Sequence, residues 1–118
     1  MKPIVYAYSG CGTCQSALKW LASNQLEVEI KPIRETPPSK RELAEALAQY
    51  GALKALFNTS GGDYKELGLK DKLADLTEAQ ALDLLASRGN LVKRPFVSWK
   101  GRYLIGFKDP TLWEAFFQ

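Results

Sequence analysis

The chain has 118 residues, 46% apolar and 25% charged, with a net charge of +3, two cysteines and no histidine. This is enough chain for one domain, residues 1–118. It has an ordinary globular composition and is too weakly basic to demand a nucleic-acid partner. The missing histidine excludes Ser-His and Cys-His catalysis and His-ligated zinc, and no apolar run approaches the ~20 residues of a membrane span.

The start, MKPIVYAYSG, has no secretory pattern. A reducing cytoplasm is therefore the expected location. Ile4 to Tyr8 reads as a short buried strand ended by Gly10. Cys14 to Asn24 reads as a helix, with Ala17, Leu18, Leu21 and Ala22 on one face and Ser9 or Thr13 as the expected cap. Leu26 to Ile33 alternates apolar and charged residues as a second strand does.

Thr36-Pro37-Pro38 breaks the pattern, and Ser39 with Glu42 forms a capping box for a helix through Tyr50, ended by Gly51. Residues 53–76 are irregular, with helical turns expected near Tyr64–Leu67 and Asp71–Ala74. Thr77 and Gln80 make a second capping box, for a helix running to Gly89. Pro95–Trp99 and Arg102–Ile105 read as strands joined at Lys100-Gly101. Asp109-Pro110 opens a last helix ending in Phe116-Phe117. Trp20, Trp99, Trp113, Phe116 and Phe117 are assigned to core or sheet-covering positions.

The order is β-α-β, a helical stretch, then β-β-α. It predicts an α/β fold with a thioredoxin-like, four-stranded mixed sheet flanked by helices. A helical insertion, about residues 36–90, separates strands 2 and 3.

Cys11 and Cys14 stand at the first strand-to-helix turn, in SGCGTC. Free cysteines often fill cores, but a glycine-rich turn is a poor place for packing. A metal site needs more ligands than one C-x-x-C supplies, so none is expected. Redox chemistry fits best. At a helix mouth, unpaired N–H groups and the dipole favour a Cys11 thiolate. Cys14, one turn later, is placed to attack a mixed disulfide on Cys11. Gly12 leaves room for an incoming substrate.

In a thioredoxin-like sheet, Pro95 falls where a cis proline sits, close to the cysteine turn. Arg94 would then point at Cys11, stabilise its thiolate and hold an oxyanion or carboxylate. Asn58 to Gly62 reads as a surface loop before an anion nest, and Lys108 by itself reads as a solvated charge.

Four blocks carry a resemblance across nearly the whole chain: YSGCGTCQSALKWL (8–21), LFNTSGGDYKELGL (56–69), LVKRPFV (91–97) and IGFKDPTLWEAF (105–116). In this order they resemble the arsenate reductase-related and Spx family, and most of all its reductase-like branch. The resemblance implies a glutaredoxin-like sheet, a nucleophile at Cys11, and an oxidoreductase that binds no cofactor but draws on glutathione, glutaredoxin or thioredoxin as reductant. It implies an oxyanion or disulfide substrate. Arg94 matches one of three family arginines, while Asn58 and Lys108 stand where the others are expected. The reductases usually lack a cysteine at the place of Cys14. Spx regulators share the C-x-x-C and the Arg-Pro pair, which makes RNA polymerase α the alternative partner. They bind it near a glycine in the region of Gly51 that has acidic neighbours; here the neighbour is Lys54.

Overall fold

Strand β1 (Ile4–Ala7) is central because both of its faces are apolar. Tyr6 turns to one side, and Val5 and Ala7 to the other. In the computed structural model, which covers residues 1–118, β1 pairs in parallel with β2 (Glu29–Pro32) and antiparallel with β3 (Phe96–Trp99). Strand β4 (Arg102–Ile105) adds to β3, giving the order β2-β1-β3-β4. The expected four-stranded mixed sheet is the one observed. Lys100 and Gly101, at φ of 54° and 71°, both take the left-handed conformation that a tight β3–β4 hairpin requires.

Helix α1 (Gly12–Ser23) covers one face. Its buried seam is Cys14, Ala17 and Leu21, at helical spacing. The seam packs with Val5, Ala7, Val97 and Leu104, and with Trp113 and Phe116 of α6 (Pro110–Phe116). Trp113 anchors this layer: its indole Nε1 donates to the Gly106 carbonyl at 2.9 Å, and its ring meets Trp20, Phe107 and Phe117. The aromatic residues assigned to core and sheet-covering positions thus do form this layer.

The other face carries the helices between β2 and β3: α2 (Lys40–Tyr50), α3 (Gly62–Glu66), α4 (Leu69–Lys72) and α5 (Glu78–Ser87). Leu43 and Ala46 of α2 and Leu82 and Leu85 of α5 pack with Tyr6, Phe96 and Tyr103. Polar bonds fix α2 across the sheet. Tyr6 Oη donates to Glu42 at 2.8 Å, Tyr103 Oη donates to Glu45, and Gln49 pairs with the Tyr103 backbone at 2.6 and 3.0 Å. No helix is long and apolar enough to cross a membrane.

Both capping boxes form, at Ser39–Glu42 and Thr77–Gln80. Gly51 closes α2 at φ 81°. Three details differ from expectation. Leu26–Val28 lies outside β2, because Gln25 (φ 56°) turns the chain out of α1 and Leu26 N–H still bonds back to Leu21. The alternation in LEVEIKPI reflects an exposed edge strand only four residues long. Helical turns lie at the expected Asp71–Ala74, as α4 and a 3-10 turn at Leu73–Asp75, whereas single 3-10 turns at Leu53–Leu56 and Gly89–Leu91 are too short for any periodicity to announce. Finally, Arg88, not Gly89, caps α5. A side chain at Gly89 would overlap the Ile33 carbonyl, so this glycine serves a backbone-to-backbone approach rather than a helix end.

Candidate active site

The turn after β1 places Cys11 as the N-cap of α1. Its backbone is extended (φ −100°, ψ 120°), and its sulfur accepts the Cys14 N–H at 3.4 Å. Neither Ser9 nor Thr13 is the cap. The sulfur takes that role because the Cys11 N–H bonds to the Tyr8 carbonyl at 3.1 Å and sets residue 11 at the helix mouth. Ser9 is held from outside, its carbonyl accepting from Gln15 Nε2 at 2.8 Å.

Both cysteines are free thiols, and their environments differ sharply. Cys11 is half-buried, and a Cβ built on the next residue, Gly12, would meet nothing within 4 Å. The space beside Gly12 is open. Cys14 is fully buried in the Trp113 layer.

Titration diverges accordingly. Desolvation would raise the Cys11 thiol, but the N–H and thiol of Cys14 and the guanidinium of Arg94 outweigh it and hold Cys11 below the usual cysteine range. Burial, with the Cys11 sulfur adding to it, pushes Cys14 up to about 12. The two shifts have opposite sign: Cys11 ionises more readily than an ordinary cysteine, and Cys14 keeps its proton.

Arg94 reaches this turn from the strand across the sheet. The Arg94–Pro95 bond is cis, Pro95 is buried, and the Pro95 carbonyl accepts from Gly106 N–H at 2.8 Å. The Arg94 guanidinium lies 5.1 Å from the Tyr8 ring centroid. Cys11, Cys14 and Arg94 therefore converge.

Asn58 and Lys108 occupy other settings. The Asn58 amide donates to the Asn90 carbonyl at 3.4 Å, and its own carbonyl accepts from Gly61. It shapes a polar cavity of about 430 Å³ together with Lys54, Thr59, Ser60 and Lys93. Lys108 is exposed and makes no ion pair within the chain. No three His, Cys, Asp or Glu residues are grouped as metal ligands would be.

Sequence reading missed Tyr8 and Arg34 as neighbours of the site. The Arg34 guanidinium lies 4.8 Å from the same Tyr8 ring centroid. The signal is the parallel register: Ala7 pairs with Pro32, so residue 34 falls level with the cysteine turn. A sequence without its strand pairing does not show this.

A sequence profile described as the ArsC family matches residues 6–115. The chain belongs to the ArsC family. Within it, the chain is 46% identical to the uncharacterized protein YusI of Bacillus subtilis over 92% of this chain and 93% of that protein. A crystal structure of an ArsC family-related protein from Bacteroides fragilis superposes with a TM-score of 0.90 at 43% identity, covering 98% and 97% of the two chains. An arsenate reductase of Escherichia coli is 33% identical over 79% of this chain, a match that spans 65% of the reductase. The family resemblance and the glutaredoxin-like layout thus hold for the whole sheet and its helices.

Proposed function

We propose that this ArsC-family protein is a thiol–disulfide oxidoreductase. One observation carries the reading: a half-buried sulfur that caps a helix and favours thiolate, backed one turn on by a buried, protonated thiol.

In the cycle this supports, the Cys11 thiolate attacks one sulfur of a disulfide, R–S–S–R′. A Cys11–S–S–R bond forms, and R′S⁻ leaves and takes a proton from solvent. Cys14 then gives up its proton and attacks the Cys11 sulfur, expelling RS⁻. The substrate gains two electrons and the protein ends as a Cys11–Cys14 disulfide. A thiol reductant of the glutathione, glutaredoxin or thioredoxin class returns two electrons and two protons. Arg94 supports the attacking thiolate and holds an anionic group near it.

Mass-spectrometric mapping after brief alkylation of the reduced protein near neutral pH tests the first step. Cys11 should react faster than a free cysteine and Cys14 hardly at all. Equal or slower labelling of Cys11 would remove the proposal. Arsenate reduction is a narrower reading of the same site. Of the residues at the three family arginine positions, Arg94 alone is an arginine here, and it acts on Cys11. An assay of arsenate turnover with glutathione plus glutaredoxin, and separately with thioredoxin, decides it.

A further inference from the structure

Tyr8 carries two guanidinium groups, Arg34 at 4.8 Å and Arg94 at 5.1 Å from its ring centroid. The ring lies against Gly10 so closely that a Cβ there would stand 2.6 Å from its edge. Arg34 is exposed; its backbone passes close to Gly89, and its guanidinium lies over the Tyr8 ring. Neither arginine has a carboxylate partner: the chain's ion pairs involve Lys31, Lys40, Arg41 and Arg88 instead. With the Cys11 sulfur beside Arg94 as the nearest anionic partner, two cations held on one ring leave a place for a further, external anion.

The two are not equivalent. Arg94 lowers the Cys11 thiol, and Arg34 is the more exposed of the pair.

We propose that Arg34 is a specificity-determining residue: with Arg94 it forms a two-arginine cradle on Tyr8 that selects disulfides carrying a carboxylate near the reacting sulfur, as peptide thiols do. This rests on the oxidoreductase reading above.

The test compares anionic and neutral reagents of similar size on the reduced full-length protein. In the Arg34→Gln variant, Cys11 alkylation by iodoacetate should slow about fivefold or more, while alkylation by iodoacetamide stays as in the parent. Arg34→Lys should restore part of the iodoacetate rate, and added salt should erase the difference. The matching enzyme assay should show a raised KM for oxidised glutathione, with the uncharged hydroxyethyl disulfide unaffected. An unchanged iodoacetate-to-iodoacetamide ratio in Arg34→Gln overturns the cradle, as does a parallel loss with both reagents. A parent protein whose Cys11 is sluggish toward both reagents would instead count against the oxidoreductase reading, so the two failures are separable.

Discussion

The Cys14 N–H points at the Cys11 sulfur from 3.4 Å, so each cysteine shapes the chemistry of the other before any bond forms between them. The amide favours charge on Cys11, and that charge in turn discourages ionisation of Cys14. The two thiols are thereby given different roles by a single helix start.

The pH profile of Cys11 alkylation should have its midpoint below that of a free cysteine, and Arg94→Gln should move it upward. The midpoint is read from thiolate absorbance or from reaction rate with iodoacetamide. An unmoved midpoint in Arg94→Gln would detach the arginine from the sulfur.

Stability of the reduced protein should follow the same asymmetry. Cys11 is depressed in the fold, so its contribution is complete above the unfolded cysteine value and is lost as pH falls through the folded one. Cys14 is raised to about 12, so its contribution is complete below the unfolded value and is lost as pH climbs toward 12. Urea unfolding under reducing conditions should show stability rising up to the ordinary cysteine range and falling beyond it.

Cys14→Ser should stop the cycle at the mixed disulfide, visible as a persistent mass adduct on Cys11 after treatment with oxidised glutathione. The hydroxyl would sit in a fully buried apolar layer, at a cost of about 1–3 kcal/mol in denaturant unfolding. Cys14→Ala should trap the same adduct with a smaller loss.

Gly89→Ala should destabilise by about 3 kcal/mol, because the added methyl meets backbone rather than a movable side chain. Gly101→Ala should cost about 1 kcal/mol, since that glycine needs only its positive φ and has open space around it. Equal effects of the two changes in chemical denaturation would contradict the close approach at residue 89.

Binding to the RNA polymerase α C-terminal domain should be absent in both oxidised and reduced states. The end of α2 presents Tyr50, Ala52 and Lys54 around Gly51, without a carboxylate among them. A redox-dependent pull-down would reverse that expectation.

Much of the fold was legible because local signals were strong. Ser39–Glu42, Thr77–Gln80, Gly51 and Lys100-Gly101 each fix an element boundary by chemistry that acts within four residues. The C-x-x-C turn was legible for the same reason. The cap at Cys11 was not, since a sulfur is a weaker acceptor than the nearby hydroxyls of Ser9 and Thr13, and only the strand's exit angle selects it. Arg34 and Tyr8 were hidden more deeply. They lie 26 positions apart, and their stacking depends on the β1–β2 register, a non-local fact. Gly89 looked like a helix stop because its neighbour in space, Ile33, belongs to a distant segment.

The meeting of Gly89 and Ile33 also bears on what the inserted helices do. Where two backbones touch with no side chain between them, there is no slack for one part to swing over the other. At this seam the segment between β2 and β3 is packed directly on the chain that leaves β2, at the residue before Arg34.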